Sequence, residues 1–550
     1  MPKIVLQMLR PYSCQLSVGA KHLEDKLSVI AKNSSPNASP VQLSVVSGKS
    51  KDKYFPYFPI YSFLCFCDKK MNLPVTQSWQ DVRAALKAIW GYDDFRPPQK
   101  EIVNCLISQK DSLIIMPTGG GKSICFQLPA LLQTGLTLIV SPLVALMENQ
   151  VEELRQLSQK AALLHSELTT SQRQATLQAL EKQQLRLLYL SPETLLSPAV
   201  WKKLCNPQLQ INGLILDEAH CLVQWGDSFR PAYRRLGAVR EALLKSKPPG
   251  TKISIAAFTA TADPLAQKII STVLKLDKPE IFRINPYREN LNPIVRIAWT
   301  PKGRKQQLLK FIQKRPNQVG LIYVRTRRDS ENLTEWLTEN GFHTASYHAG
   351  LSPGERRNIE ASWLGGKILF VVCTCAFGMG INKSDVRWVV HFHAPYLLSE
   401  YVQEIGRAGR DGKPADVLTL VSEPTGFLDA EDKQRRKFFE EQMKLQQQKA
   451  QQLAKQLPPQ GEINTVIKEF PNSAVALSLL HSNGQLEWLD PFHYSMSLPS
   501  GKPAKTQLQA AKQMSEYLTT KKCRWQFLLN AFGFETTTNW RCGHCDNCGN

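Results

Sequence analysis

Long apolar runs and acidic residues are scarce in this chain. No apolar run approaches the ~18 residues that a bilayer-spanning helix needs, which argues against a helical membrane protein. The one aromatic-rich stretch, Tyr54–Cys67, is too short and is cut by prolines. Cysteine is present 13 times but mostly scattered, with a single dense cluster at the far C-terminal end. With no convincing signal peptide either, a secreted disulfide scaffold is disfavoured and a reduced, cytoplasmic setting is expected. Acidic residues are also short: 47 Asp and Glu face 68 Lys and Arg, leaving a net charge of +21. Such an excess favours polyanionic partners, nucleic acid or an anionic surface, although charge alone does not choose between them.

At 550 residues the chain exceeds one hydrophobic core and calls for about three or four domains. Residues 1–70 differ from the rest, being Ser-, Asn- and Pro-rich around Asn33–Pro40 with a single Arg, Arg10. Met71-Asn-Leu-Pro then precedes an amphipathic stretch, Trp79–Trp90, and Met71 is read as the authentic start, with 1–70 an atypical extension. From about 80 to 420, short apolar runs alternate with amphipathic ones. This βαβα rhythm predicts parallel sheets covered by helices, and the length calls for two such units, 71–285 and 286–425. Residues 426–458 are charged, Gln-rich and end at Pro458-Pro459, and are read as a solvated connecting helix.

The chemistry begins at Met116-Pro-Thr-Gly-Gly-Gly-Lys-Ser123, which follows the apolar run Leu113–Ile115. A Gly-rich loop between a strand and a helix cradles phosphates. Backbone N–H groups of Thr118, Gly119, Gly120 and Gly121 point inward, Lys122 reaches the outer phosphates and Ser123 offers a hydroxyl to Mg²⁺. The strict pattern has Gly where this chain has Met116. Ile211–Leu216 reads as a buried strand delivering Asp217, a second Mg²⁺ anchor, and Glu218, a general base for water, within Asp217-Glu-Ala-His220. Together the two elements describe an NTP-hydrolysing motor.

The order of elements resembles superfamily-2 helicases and, within them, the RecQ family of DNA helicases. The resemblance covers roughly residues 79–420 and 505–548. It implies adenine recognition by Trp90–Gln99 through Gln99, with Phe95 and Arg96 nearby, a strand-contacting motif at Ser141–Gln150 and a coupling motif at Phe258–Ala262. The second unit supplies Gln403-Glu-Ile-Gly-Arg-Ala-Gly-Arg410, in which Arg407 and Arg410 can face a nucleotide held by the first unit. Arg410 is the implied arginine finger. Cys221–Tyr233 resembles the family's aromatic-rich DNA-sensing loop, with Trp225 and Phe229 as stacking faces and Arg230 for a phosphate. Where the family reads His-Asp, this loop has Asp227-Ser228.

Cys523, Cys542, Cys545 and Cys548 can close a tetrahedron around zinc in a subdomain at 505–550, with His544 as a substitute ligand that the fourth cysteine makes unnecessary. Between 459 and 504, two short helices and a strand pair suggest a winged-helix-like insert able to grip duplex DNA, with protein docking or plain helical packing as alternatives. The chain stops two residues after Cys548, so no later winged helix is expected. The expected fold is α/β: two tandem RecA-like parallel-sheet lobes, a helical, winged-helix-like insert and a small zinc-binding subdomain. The expected activity is that of an ATP-dependent DNA helicase using ATP, Mg²⁺ and Zn²⁺ on single-stranded and duplex DNA, with no membrane partner. Movement 3′ to 5′, roles in recombination, repair and replication, and a nucleoid-associated location are what the resemblance implies. The competing readings are an RNA helicase of the same superfamily, and a DNA-binding or annealing protein with a non-essential ATPase.

Overall fold

The computed structural model describes residues 78–223, 230–378, 381, 383–497 and 506–549, within the compact unit Asn72–Asn550. Seven strands build the first lobe: β1 (Ser112–Ile115), β2 (Leu136–Val140), β3 (Ala161–Leu164), β4 (Leu187–Leu190), β5 (Ile211–Leu216), β6 (Ser254–Thr259) and β7 (Glu280–Arg283). They pair in parallel in the order β3-β4-β2-β5-β6-β1-β7. Strands β1 to β6 are buried along their whole length because helices cover both faces, which is why they read as unbroken apolar runs. Only the edge strand β7 alternates between half-buried and exposed residues.

The second lobe holds β8 (Leu291–Ala298), β9 (Gly320–Tyr323), β10 (Thr344–Tyr347), β11 (Phe370–Cys373), β12 (Trp388–His391) and β13 (Ala415–Ser422), all parallel, in the order β10-β11-β9-β12-β13-β8. Among the described residues no helix is long and apolar enough to cross a membrane.

After β13 the helix Glu431–Ala454 leaves the second lobe. Its start is pinned there by Asp432, which accepts from the fully buried Arg304 at 3.1 and 3.0 Å and from the Ser422 N–H at 2.7 Å. Its last turns are solvated on one face and packed on the other, where Ala450 is buried against Ala476 and Leu479 and Leu453 packs beside them. The connecting helix therefore ends by joining the core of the insert. There β14 (Gln460–Glu462), helices Ile463–Glu469 and Ser473–Ser482, β15 (Leu486–Trp488) and β16 (His493–Met496) form a three-stranded antiparallel sheet, order β14-β16-β15, backed by helices. This is the arrangement of a winged helix.

The helix that would read DNA in such a module, Ser473–Ser482, carries no Lys or Arg and is almost wholly buried, between helix Glu431–Ala454 and segment Pro231–Ala238 of the first lobe. This helix therefore presents no basic face to duplex DNA, and the insert is docked within the chain. Arg235 donates to the Pro491 carbonyl at 3.2 Å, and Phe492 meets Trp201 edge-on at 5.2 Å.

The C-terminal segment is likewise no separate body. Helices Thr506–Thr519 and Arg524–Ala531 add Met514, Tyr517, Trp525 and Leu528 to the core of the second lobe.

Candidate active site and metal centre

A cleft of about 780 Å³ opens between the lobes at the C-terminal ends of β1 and β5. From the first lobe it is lined by Thr118, Gly119, Gly121, Lys122, Ser123, Asp217 and Glu218, and from the second by Gln403, Arg407 and Arg410. The glycines are required by geometry. Gly119 and Gly121 have φ of 85° and 81°, and a side chain on Gly121 would strike the Gln99 amide. At Gly120 a Cβ would stand 2.7 Å from Met116 Cγ, so the bulk at Met116 is accommodated by this glycine.

Helix Lys122–Leu132 starts directly from the loop, with no side chain capping its first N–H groups, which leaves them for an anion. Lys122 Nζ stands 4.0 Å from Glu218 Oε1 at the floor of the cleft.

Asp217 is buried at the end of β5 and accepts from the Glu218 N–H at 3.0 Å. Glu218 adopts a left-handed backbone, φ 50°, the kind of strain that persists where a function needs it. Burial, then the neighbouring Glu218, push the Asp217 carboxyl up, against the opposing pull of Lys122. Burial also acts to raise Glu218, but Lys122, His220 and Arg407 outweigh it and hold this carboxyl down, so it stays ionised. His220 Nδ1 lies 3.1 Å from Glu218 Oε2 and 3.2 Å from Thr259 Oγ1, and Thr259 Oγ1 in turn accepts from the Thr261 N–H at 3.2 Å. The acidic motif and the coupling motif are therefore one hydrogen-bonded unit.

Across the gap, Arg407 is buried beside Gly378, whose φ of 101° and missing side chain leave room for the guanidinium. Arg410 donates to the Ile381 carbonyl at 3.0 Å, and its Cγ lies 3.9 Å from where a Cβ on Gly119 would stand. Burial and the nearby Arg407 lower the Arg410 pKa to about 10, which marks an accumulation of positive charge facing the phosphate loop. Cations from one lobe and carboxylates from the other thus surround a space suited to a polyphosphate.

Gln99 lines the cleft, but its amide is engaged within the chain. Nε2 donates to the Gly120 carbonyl at 3.0 Å and Oε1 accepts from the Arg96 N–H at 2.9 Å. Arg96 lines the cleft; Phe95 does not, because its ring packs on Trp79 at 5.3 Å. The aromatic that faces the cleft is Tyr92, half exposed, which the motif reading passed over. Gln150 was also missed as a cleft residue. It donates from Nε2 to Ser123 Oγ at 3.2 Å. Trp225 and Phe229 lie outside the described residues. Arg230 is described, paired with Glu193 at 3.2 Å.

The sulfurs of Cys523, Cys542, Cys545 and Cys548 all lie within 4.8 Å of one another. Cys523 and Cys545 Sγ are 4.0 Å apart, close to the ~3.8 Å edge of a tetrahedron with Zn–S of about 2.3 Å. The donor set, four thiols at this spacing, fits one zinc ion with every position filled by protein. His544 is turned elsewhere, its Nε2 3.1 Å from the Tyr287 hydroxyl. Next to the cluster, Arg524 pairs with Asp546 at 2.9 Å, and Asp546 accepts from the Val295 N–H of β8 at 2.9 Å. A second acid–histidine group, Asp329, His393 and Glu431, is already bridged by Arg435 at 2.9 and 2.7 Å, which takes the place a cation would fill.

Three family models match the chain: DEAD/DEAH box helicase over residues 96–269, helicase conserved C-terminal domain over 303–412 and RecQ zinc-binding over 493–549. The chain is 52% identical over 472 residues to the ATP-dependent DNA helicase RecQ of Synechocystis sp., covering 85% of this chain and 98% of that one. It is 38% identical over 356 residues to the ATP-dependent DNA helicase RecQ of Pasteurella multocida, 65% of this chain and 54% of that one, and so spans about half the length of that relative. Among solved structures, the Mycobacterium smegmatis helicase Lhr bound to ssDNA and AMP-PNP superposes with a TM-score of 0.52 at 18% identity, over 79% of this chain and 61% of that one, a likeness of fold.

Proposed function

Because the chain belongs to the RecQ family of ATP-dependent DNA helicases, we propose that the inter-lobe cleft is its ATPase site and that hydrolysis there drives it along single-stranded DNA, 3′ to 5′, parting duplex ahead of it. The observation that carries this reading is the meeting of Lys122, Asp217 and Glu218 with Arg407 and Arg410 on one cleft, each set fixed to a different lobe. Phosphates bind at the uncapped first N–H groups of helix Lys122–Leu132 and at Lys122, whereas the Gly120 N–H is spent on the Pro117 carbonyl at 3.1 Å. Glu218, held ionised, takes the proton of the attacking water. Arg407 and Arg410 neutralise charge that develops on the transferring phosphoryl group. Since these arginines belong to the second lobe, turnover depends on lobe separation, which is how hydrolysis becomes stepping.

Ser123 and Asp217 are the residues that would hold Mg²⁺, since both bring oxygen donors to the same cleft. When bound, the ion supplies positive charge to the phosphates. Arg96 and Tyr92 line the base end of the nucleotide, and Gln99 takes the base edge by giving up its bonds to Gly120 and Arg96. Trp225, Phe229 and Arg230 receive single-stranded DNA, and zinc ties the C-terminal segment together. Recombination, repair and replication, in a cytoplasmic, nucleoid-associated setting, are the matching cellular roles.

The test is unwinding of a 3′-tailed duplex with ATP, with a non-hydrolysable analogue, and with a Lys122→Ala protein. Unwinding is expected only for the unsubstituted protein with ATP. Strand separation or annealing indifferent to Lys122→Ala, or equal stimulation of ATP hydrolysis by RNA, refutes the proposal.

A further inference from the structure

Helix Val144–Gln156 begins just after Ser141-Pro142, on the strand-contacting side, and carries Gln150 back to the nucleotide cleft. Gln150 is 8% exposed. One polar atom of its amide meets Ser123 Oγ at 3.2 Å; the other, Oε1, is buried and has no hydrogen-bond partner. Turned over, the amide would leave Nε2, a donor, unsatisfied; the orientation with Nε2 on Ser123 Oγ is the one that leaves an acceptor free. A buried amide oxygen without a donor is costly and calls for one. Ser123 and Asp217, the residues assigned above to a divalent cation, line the same cleft. Magnesium is strongly hydrated and keeps several of its waters when bound to protein and phosphate, and each of those waters is a donor in need of an acceptor.

We propose that Gln150 is a positioning residue for the nucleotide's divalent cation. One end of its amide orients the Ser123 hydroxyl and the other accepts from a metal-bound water. The inference rests on the reading of the cleft as a Mg²⁺-nucleotide site. It is one of support, since Gln150 touches neither phosphate nor base. Glu153, one turn further along the same helix, also lines the cleft and adds negative charge on that side.

The experiment uses the full chain and a fluorescent ATP analogue, titrated with Mg²⁺, alongside a binding titration in EDTA. Gln150→Met keeps the bulk and removes both polar atoms; Gln150→Glu keeps an acceptor. In Gln150→Met the Mg²⁺ concentration for half-maximal binding is expected to rise about 10- to 100-fold, the usual effect of losing an outer-shell partner. Its metal-free affinity should not change, and Gln150→Glu should stay near the unsubstituted protein. An unchanged Mg²⁺ requirement in Gln150→Met overturns the proposal. So does an equal loss of affinity in EDTA, which marks a packing role, or a Gln150→Glu protein as impaired as Gln150→Met. Should the unsubstituted protein bind the analogue with no Mg²⁺ dependence at all, the assignment of the cleft itself falls, a failure distinct from that of Gln150.

Discussion

Replacing Gly378 by alanine is expected to cripple hydrolysis by displacing Arg407, with no catalytic side chain removed. A Cβ at this position would stand 2.5 Å from Arg407 Nη1, 2.6 Å from Cζ and 2.7 Å from Nε. Non-bonded heavy atoms settle at about 3.5–4.0 Å, so the guanidinium must retreat by about 1 Å. A shift of that size at a catalytic group costs roughly 100-fold in rate. Complete removal of an arginine finger costs about 10³- to 10⁵-fold, which sets the floor. The backbone adds strain, because φ of 101° is a region that residues with a side chain rarely adopt, at about 1–3 kcal/mol. Steady-state ATPase assays with DNA should therefore show kcat down about 100-fold, with KM for ATP nearly unchanged, since phosphate binding rests on the other lobe. If the effect passes through Arg407, the double variant Gly378→Ala with Arg407→Ala is no slower than Arg407→Ala alone. Additive losses in that cycle, or an unimpaired Gly378→Ala enzyme, would refute the placement of Arg407.

Glu218→Gln keeps shape and hydrogen bonding but cannot take a proton, so turnover should fall by about 10²–10⁴ while nucleotide binding survives; a variant within a few-fold of normal kcat excludes Glu218 as the base. Zinc retention should weaken as pH falls, because the four thiols hold the metal as thiolates and protons compete for them. A metal-sensitive dye should record faster release to chelator at pH 6 than at pH 8, and pH-independent release contradicts this. Arg304→Met strands Asp429, only 1% exposed and 3.3 Å from the lost guanidinium, and should cost about 3–5 kcal/mol in denaturant melts. A loss under about 1 kcal/mol, the scale of a surface pair, would mean that the network is solvated.

Much of the fold is legible because strands buried on both faces have to be apolar throughout, as in β1, β2 and β5. The strands that escape reading have specific reasons. β3 is Ala-Ala-Leu-Leu, strong helix formers held extended only by pairing with β4. β8 contains Pro293, which is tolerated because β8 is an edge strand and the Pro293 carbonyl accepts from the Asp546 N–H at 3.2 Å. At the site, the phosphate loop, the acidic pair and the two arginines are legible because each motif is local. The choice of Tyr92 over Phe95 is not, since it depends on Trp79 taking the Phe95 ring. Nor is Gln150, whose partner Ser123 is distant in sequence. The docking of Ser473–Ser482 had a signal, its lack of any cation, but what covers it is a tertiary fact.

The accessory elements act on different lobes, and that division constrains how the motor moves. The C-terminal segment shares its core with the second lobe, and Tyr517 donates to Tyr401 at 2.9 Å, on the helix Leu398–Ile405 that leads into Arg407. Trp525 donates to the Leu291 carbonyl at 3.1 Å and lines a crevice with Thr118, Thr261 and Gly406. The zinc segment is therefore packed into the lobe that carries the arginines, while its Gly533 also abuts Pro264 of the first lobe. The insert instead buries Phe492 against the first lobe beside Trp201, and its core takes in Ala238. Between them runs a single helix of 24 residues, about 36 Å long, fixed to the second lobe through Asp432 and to the insert through Ala450. A straight helix resists stretching, so any change in lobe separation has to appear as rotation about its two ends or as sliding of the insert on Pro231–Ala238. That second surface directly follows residues 224–229, so the insert bears on the segment that leads out of the aromatic-rich loop.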